Sequence, residues 1–422
     1  MRVLLLSQWY PPEPMRLLSD FTETLRDLGH DVTVLTGFPN WPSGRIYPGY
    51  RLRLWQREEQ NGVRIVRVFL FPDHSRSAFK RALNFLSFAA SATVLGPWLL
   101  RRPDVIHMVH PPITAAVPAL LLSTLWRVPF TMEIQDMWPE NLRATGMVHS
   151  QSVLNAIGTF AKYVYRKAAA IRVISSGFRN NLLAKRVPDS KISVVSNWVE
   201  TDFYRPMEPD SGLARRFDTG GRFIVMYAGT MGLAQGLDLV LDAADILRDL
   251  PEVRFVLAGD GVEYARLRAE AESRRLANVI FTGRMPGESM PSLYSIADVL
   301  FVHLRDDPLF EITIPHKIYT YMAAGKMVLA AMKGDAETLV ETSECGVVCA
   351  PEDAQALADT VRRCAVMTRE ERARLGENGR RAVLQHYTRP HLVGEIERML
   401  KDALYGKESG GRTVSVSGSS VN

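Results

Sequence analysis

The chain has little cysteine: Cys345, Cys349 and Cys364 are its three thiols in 422 residues. They lack the paired spacing of a zinc site, and three thiols cannot form the disulfide framework of a small secreted domain. We therefore expect buried, reduced thiols in a cytoplasmic protein.

Acidic metal-binding motifs are also missing. The sequence has no Asp-x-Asp pair and no cluster of histidines and carboxylates. Enzymes that hold Mg²⁺ or Mn²⁺ against phosphates use oxygen ligands of this kind. The sequence therefore predicts chemistry that is independent of metal and uses no other cofactor.

Long hydrophobic runs are scarce. Only four apolar residues separate Arg2 from Ser7, which is typical of a strand and too short for the core of a signal peptide. One uncharged run, Ala82 to Leu100, approaches spanning length, but polar residues, Gly96 and Pro97 interrupt it. A membrane-spanning helix is the least favoured of three interpretations.

The other two interpretations of this run stay open. Apolar residues recur on one helical face, and basic residues flank the run: Phe79, Leu83, Leu86, Ala90 and Val94, with Arg76, Lys80, Arg81, Arg101 and Arg102. This pattern fits a core helix and a helix lying on an anionic membrane equally well. The net charge of +5 and pI near 9.1 suit nucleic acid, membranes or phosphorylated substrates alike.

Short apolar strands alternate with helices along most of the chain. The predicted strands are Val3 to Leu6, Asp31 to Thr36, Ile65 to Phe69, Val105 to Met108, Phe130 to Ile134, Ala170 to Ile174, Ile192 to Val195, Phe223 to Tyr227, Val253 to Ala258, Val279 to Phe281, Val299 to Val302 and Val328 to Ala331. Strands of this kind indicate an α/β protein with parallel sheets covered on both faces. Two such sheets predict two Rossmann-like domains.

The predicted boundary lies in the polar stretch from Ser196 to Pro206. We expect an N-terminal domain over 1–196, a C-terminal domain over 197–385, a final helix over 386–406 that packs back on the first domain, and a disordered Gly/Ser-rich tail over 407–422.

The loops after the strands of the second half have suitable chemistry for a nucleotide site. In open parallel sheets ligands bind at the carboxyl ends of the strands. The segment Pro308 to Val340 places Glu311 and Lys317 before a helix predicted from Ile318 to Ala324, where a phosphate is held most easily. Glycine turns at Gly229, Gly232 and Gly236, at Gly259-Asp260-Gly261 and at Gly283-Arg284-Met285 follow other strands.

These motifs together resemble a known family, the retaining glycosyltransferases of family four, with the GT-B fold. The similar stretches run from VLLLSQWYPPEP through VISSGFRNNLL, KISVVSNWVETDFYRP, YAGTMGLAQGLDLVLDAADIL and NVIFTGRMP to YMAAGKMVLA. LTGFPNWPSGRIYPGYR and IQDMWPENL are most similar to the fucosamine-transferase-like branch that builds O-antigen, capsule or exopolysaccharide units.

The resemblance implies that the C-terminal domain binds a nucleotide sugar, with UDP the commonest nucleotide, and that the N-terminal domain binds the acceptor across a central cleft. It also implies a polyprenyl-diphosphate-linked saccharide acceptor, an anionic membrane surface on the inner face of the cytoplasmic membrane, and no nucleic-acid partner. Gly229 and Gly232 would lie by the diphosphate, and Gly283, Arg284 and Met285 near the base. Gly259 and Asp260 are the other candidates for the base or ribose pocket.

The sequence departs from the family pattern at several positions. The phosphate-binding Arg and Lys of the family align with Thr230 and Gln235, and the ribose-binding Glu aligns with Thr320. Glu311 is one residue further from Thr320 than the usual spacing. Two interpretations of Glu311 therefore stay open: a ligand of the donor sugar hydroxyls, or an exposed loop carboxylate.

The missing cations favour Lys317 as the group that receives charge on the departing diphosphate, with Arg16 as a candidate from the facing domain. Asp136 follows a strand of the first domain and either orients the acceptor or caps the next helix. His110 is a further candidate, and His107 fits a satisfied core histidine.

Three functions are weighed: a glycosyltransferase acting on a lipid-linked or saccharide acceptor, a nucleotide-sugar 2-epimerase of the same fold, and an inactive binding protein. Only a transferase needs an acceptor for donor turnover.

Overall fold

The computed structural model describes residues 1–75 and 77–406. The basic residue Arg76 and the predicted tail over 407–422 lie outside the described residues. The described chain forms two α/β domains, each built around one largely parallel sheet.

The first sheet has eight strands in the order β3-β4-β2-β1-β5-β6-β7-β8. The strands are β1 (Arg2–Leu6), β2 (Asp31–Gly37), β3 (Trp55–Gln60), β4 (Val63–Val68), β5 (Val105–His110), β6 (Phe130–Ile134), β7 (Ala170–Val173) and β8 (Ile192–Val194). All neighbours pair in parallel except β3 and β4, which form an antiparallel edge. The sequence WQREEQ of β3 is polar and mostly exposed, so it lacks the apolar pattern by which the other strands were predicted.

Helices cover both faces of this sheet. They are α1 (Arg16–Asp27), α2 (Ala78–Leu99), α3 (Ala116–Trp126), α4 (Glu140–Ala144), α5 (Gln151–Lys167) and α6 (Ser176–Ala184). Side chains alternate along β1 between the two faces: Leu4 and Leu6 pack with α2, α3 and α5, and Val3 and Leu5 pack with α1. Each face therefore has its own apolar core.

The second sheet has six parallel strands in the order β11-β10-β9-β12-β13-β14. Its elements are α7 (Ser211–Arg216), β9 (Phe223–Ala228), α8 (Asp238–Ile246), β10 (Val253–Ala258), α9 (Tyr264–Ser273), β11 (Val279–Gly283), α10 (Met290–Ser295), β12 (Val299–His303), α11 (Pro308–Glu311), α12 (His316–Ala323), β13 (Met327–Ala331), α13 (Asp335–Thr342), β14 (Gly346–Cys349), α14 (Ala354–Val366) and α15 (Arg369–His386). Two parallel-sheet domains confirm the predicted GT-B class.

The last helix, α16 (Arg389–Tyr405), lies on the N-terminal domain. Its Val393, Ile396 and Leu400 are buried in the same cluster as Val3 and Leu5. Cross-domain hydrogen bonds also join the two domains: Ser175 Oγ donates to the Ile312 carbonyl at 2.6 Å, and Asp335 accepts from the Gly177 N–H at 2.6 Å. On the second domain, these contacts come from the residue after α11 and from the start of α13.

Helix α2 corrects one of the sequence interpretations. The predicted apolar face is exposed: 77% of Phe79, 57% of Leu86 and 65% of Val94 are accessible, so this face is not core. The buried residues lie on the opposite side and include Asn84, Phe88 and Ala92. Within the described residues α2 is the one helix that is long and apolar enough to span a membrane by length and composition.

Candidate functional site

The glycine turn after β9 lies against the turn after β10. The Gly229 N–H donates to the Ala258 carbonyl at 2.9 Å, and the Met231 N–H donates to the Asp260 carbonyl at 2.9 Å. Gly259 has a φ of +143°, and a Cβ there would run into the Gly229 carbonyl. The two turns need glycine because their backbones touch.

Gln235 closes the β9 turn from within. Its Oε1 accepts the Gly232 N–H at 2.9 Å, and its carbonyl accepts a hydrogen bond from His303 Nδ1 at 2.8 Å. The residue that replaces the family lysine therefore holds the loop in shape. Its amide is neutral, so it brings no charge to the turn.

Lys317 supplies the charge at this turn. It lies in the first turn of α12, where the preceding Pro315 makes no side-chain cap. Its Nζ is 3.8 Å from the centroid of the Tyr227 ring, and a Cβ on Gly229 would lie 2.9 Å from the same Nζ. The cation, the helix N-terminus and the glycine turn thus meet at one point.

Nothing in the described chain neutralises Lys317: no carboxylate there lies within 4.0 Å of it. Burial lowers the pKa of Lys317 from its ordinary 10.5 to about 7. Lys317 is half-buried, so its ammonium has lost part of its hydration without gaining an ion-pair partner, and an incoming phosphate would offset that loss.

The other candidate donor-binding residues differ in exposure and in position along the sheet edge. Asp260 and Arg284 are exposed at the ends of β10 and β11, and the Gly283 carbonyl accepts from the Gly259 N–H at 3.0 Å. Met285 is half-buried beside the core of the second domain. These residues lie along the carboxyl edge of the sheet, where β9, β10 and β11 end.

Thr320 and Glu311 differ in their exposure to solvent. Thr320 is 5% exposed and its Oγ1 donates to the Lys317 carbonyl at 2.9 Å, so the hydroxyl is used inside α12. Glu311 ends the short helix α11 and is exposed, and its backbone carbonyl packs against Gly334. Both assignments stay predictions.

A cavity with a volume of ≈ 570 Å³ lies on the acceptor side. Its lining includes Trp9, Trp41, Arg81, Phe85, Trp138 and, from the second domain, His316. Ring centroids are 6.2 Å apart for Trp9 and Trp41, and 6.1 Å apart for Trp9 and Phe85 and for Phe85 and Trp138. We call this space the aromatic cavity. It reaches from α2 to the residue next to Lys317.

Asp136 lines the aromatic cavity. Burial raises the pKa of its carboxyl group, and a hydrogen bond with Asn141 opposes this rise. Helix α4 begins after Pro139 without a side-chain cap, so the capping alternative for Asp136 is not what the structure shows.

The two histidines of β5 differ. His107 is fully buried and satisfied, with Nδ1 2.8 Å from Thr131 Oγ1 and Nε2 3.2 Å from Glu133 Oε2, which confirms a core histidine. His110 is also fully buried, its ring lies edge-on to Trp138 at 5.3 Å, and neither ring nitrogen has a partner among the described side chains. Burial lowers the pKa of His110 to about 3, so the ring is neutral.

Arg16 also lines the aromatic cavity, at the edge of the interdomain linker. It is exposed and makes long ion pairs with Asp20 at 3.8 Å and Glu200 at 3.9 Å. Such contacts contribute little to stability and leave the guanidinium available.

Sequence reasoning did not find the residues that shape the aromatic cavity. Glu13 is 2% exposed and accepts backbone N–H groups from Tyr10, Asn40 and Trp41 at 3.0, 2.9 and 2.8 Å. It joins the two loops that present Trp9 and Trp41. Burial raises the pKa of Glu13 to about 7. In the sequence Glu13 is visible only as a glutamate between prolines. That pattern does not reveal hydrogen bonds to backbone groups about 27 residues away.

Two family models match the chain. Residues 16–198 match the glycosyl transferase 4-like domain, and residues 215–382 match glycosyl transferases group 1. A protein of Escherichia coli K12 named for glycosyl transfer in colanic acid biosynthesis, WcaI, is 27% identical over 382 residues, covering 87% of this chain and 93% of that protein. A Pseudomonas aeruginosa protein named as a glycosyltransferase, WbjE, is 26% identical over 269 residues, covering 61% of this chain and 65% of WbjE.

Solved structures share the fold at low identity. The Anabaena protein Alr3699/HepE in complex with UDP has a TM-score of 0.70 and 18% identity, covering 95% of this chain and 100% of that one. Sucrose-phosphate synthase from Thermosynechococcus elongatus has a TM-score of 0.72 and 17% identity, covering 96% and 100%. At these identities the likeness concerns the fold.

Proposed function

Because the chain belongs to the GT-B glycosyltransferases, with a 4-like domain followed by a group 1 domain, we propose that it transfers a sugar, with retention, from a nucleoside diphosphate donor to a lipid-linked saccharide. A UDP-sugar is the first candidate donor, and assembly of a cell-surface polysaccharide is the proposed setting. The observation that carries the proposal is Lys317, an unpaired ammonium at a helix N-terminus against a glycine turn.

The names of relatives support the setting and the donor. WcaI is named for colanic acid biosynthesis, and a 30% identical E. coli relative over 193 residues is named an O-antigen chain mannosyltransferase. The structural neighbour from Anabaena was solved in complex with UDP, which favours a uridine nucleotide as the first donor to test.

The proposed step breaks the bond between the anomeric carbon of the donor sugar and the β-phosphate oxygen. Negative charge develops on the leaving diphosphate, and Lys317 with the first turn of α12 would receive it. The acceptor hydroxyl would enter from the aromatic cavity and attack the anomeric carbon on the face that the diphosphate leaves, so that the new bond from this carbon to the acceptor oxygen forms with retention. Asp136 is the carboxylate proposed to orient the hydroxyl and accept its proton. No step is assigned to a metal, and metal independence stays a prediction.

The membrane proposal is supported by the exposed surface of two neighbouring helices. The exposed apolar residues are Phe79, Leu83, Leu86, Val94 and Trp98 of α2, and Val117, Leu121 and Leu125 of α3. We call them the α2–α3 apolar face. Lys80, Arg101, Arg102 and Arg127 are exposed at its ends. An apolar face with a basic border suits the anionic inner surface of the cytoplasmic membrane.

Liposome sedimentation tests the membrane proposal. Replacing Phe79, Leu86 and Val94 with Glu should abolish binding to anionic vesicles at low salt, because each change places a charge where an apolar group would enter the bilayer. Val366→Glu is the matched control, since Val366 is 85% exposed on α14 of the other domain. Unaltered binding of the triple variant would contradict the proposal.

A thermal-shift screen of nucleotide sugars tests the donor. A ligand at a hundred times its dissociation constant stabilises the fold by about 2.7 kcal/mol, which is easily measured. The best nucleotide sugar is then incubated with and without a lipid-linked acceptor. Turnover that needs the acceptor supports transfer, and acceptor-free epimerisation of the donor would contradict it.

A further inference from the structure

Arg81 is the charged side chain in the lining of the aromatic cavity that comes from α2. Its Nε is inaccessible to solvent and has no hydrogen-bond partner among the described residues. No carboxylate in residues 1–75 and 77–406 lies within 4.0 Å of it. A half-buried guanidinium without a partner favours binding of an anion.

Carboxylates near Arg81 do not pair with it: Asp73 acts on His74, where it opposes the lowering of the pKa, and Asp136 lines the same cavity, both more than 4.0 Å from the guanidinium. The first turn of α2 contains no acidic residue. His74 lies on the same cavity wall, and burial, together with the nearby charge of Arg81, lowers its pKa. The ring of His74 is therefore an uncharged neighbour that packs edge-on against Trp41 at 6.3 Å.

The position of Arg81 on α2 is as informative as its charge. Phe85 lies one helical turn further on and faces the same cavity, whereas Phe79, Leu83 and Leu86 belong to the α2–α3 apolar face. Arg81 therefore lies on the cavity side of α2, and the α2–α3 apolar face lies on the opposite side of the same helix. The far end of the cavity reaches Asp136 and His316, beside Lys317.

A ligand that matches these regions is an amphiphile. Its anionic group would lie at Arg81 and its polar end among the aromatic rings near Asp136, and its apolar chain would leave the cavity for the membrane that the α2–α3 apolar face is proposed to contact. The volume of ≈ 570 Å³ is that of a site for one small ligand, so the polar end is a short saccharide.

We propose that Arg81 binds the phosphate or diphosphate group that joins a lipid chain to a short saccharide acceptor held in the aromatic cavity. The inference rests on the proposed transfer to a lipid-linked acceptor, and it names Arg81 as the residue that binds the phosphate or diphosphate between the lipid and the saccharide.

Isothermal titration with prenyl probes tests the role of Arg81. The protein is first saturated with UDP so that the donor site is occupied, and farnesyl diphosphate, farnesyl phosphate and farnesol are then titrated. Wild type should bind farnesyl diphosphate about tenfold to a hundredfold more tightly than farnesol, as expected for hydrogen bonds to a charged group. Arg81→Gln should bring the two affinities within about twofold, with Arg81→Lys between.

Lys80→Gln is the matched control, because Lys80 is the exposed neighbour of Arg81 on the same turn. It should keep most of the preference for farnesyl diphosphate. Wild-type protein that binds farnesyl diphosphate no better than farnesol would overturn the inference. Equal losses in Lys80→Gln and Arg81→Gln would overturn it too, since they would mean attraction by surface charge alone.

The UDP titration that precedes each experiment separates the two proposals. Unchanged UDP affinity in Arg81→Gln shows that the donor site is folded. A lost preference for farnesyl diphosphate over farnesol is then due to the missing Arg81 side chain. Failure of wild type to bind UDP or any nucleotide sugar would instead contradict the proposed donor.

Discussion

The pH dependence of nucleotide binding tests the charge on Lys317. Burial lowers the pKa of this ammonium to about 7 in the free protein, from an ordinary 10.5. A bound diphosphate lies against the ammonium and raises its pKa again, so binding above pH 7 takes up one proton. Affinity for UDP should therefore fall as the pH rises above 7.

The magnitude follows from the charged fraction of Lys317. With a pKa of about 7, this fraction falls from about one half at pH 7 to about one hundredth at pH 9. Affinity should then fall by up to about fiftyfold, approaching tenfold per pH unit. The phosphate itself titrates near pH 6 and contributes little over this range.

Isothermal titration of UDP at pH 7, 8 and 9, in buffers of different ionisation enthalpy, measures both the affinity and the protons taken up. Lys317→Arg is the control, since a guanidinium stays charged throughout and should flatten the dependence. A flat wild-type profile, or an equal slope in Lys317→Arg, would refute the assignment of the diphosphate to Lys317.

Other predictions concern metal, loops and stability. Transferase activity should survive exhaustive chelation. Activity that is lost with EDTA and restored by Mg²⁺ or Mn²⁺ would contradict metal independence. At pH 8, above the pKa of Glu13, Glu13→Gln should raise the acceptor KM several-fold while donor KM stays fixed, because the loops of Trp9 and Trp41 lose an anionic acceptor of three N–H groups; equal changes in both would contradict this. Gly259→Ala should lower the free energy of unfolding by roughly 2 kcal/mol or more in urea titrations, against little change for Gly287→Ala, whose added Cβ meets nothing within 4 Å. Lys317→Met should raise the melting temperature of the ligand-free protein below pH 7, where the buried ammonium is charged, and the gain should shrink as the pH rises through 7.

Much of the fold could be predicted because buried parallel strands are short, apolar and separated by helices. Strand β3 was missed because an exposed antiparallel edge strand, Trp55–Gln60, has no apolar run. The sequence could not show whether the apolar face of α2 meets solvent or the core. Helical periodicity identifies an apolar face, but it does not show what that face packs against.

The positions of some site residues were predictable from the local sequence. Lys317 was predicted from its place at a helix start and the glycine turns from their place after strands, and the structure brings Lys317 against Gly229; their roles stay predictions. The aromatic cavity was not predictable, because Trp9, Trp41, Phe85 and Trp138 come from four separate segments that only the fold assembles. The inward direction of the Thr320 hydroxyl likewise depends on packing within α12.

The central claim is most directly tested by donor turnover with a lipid-linked acceptor, compared between wild type and Lys317→Ala. We expect turnover that requires the acceptor, and a loss in the variant equivalent to about 2 to 4 kcal/mol of transition-state stabilisation, with the fold intact by circular dichroism. A Lys317→Ala variant that turns over as fast as wild type would contradict the account. Donor consumption that does not need an acceptor would contradict it too.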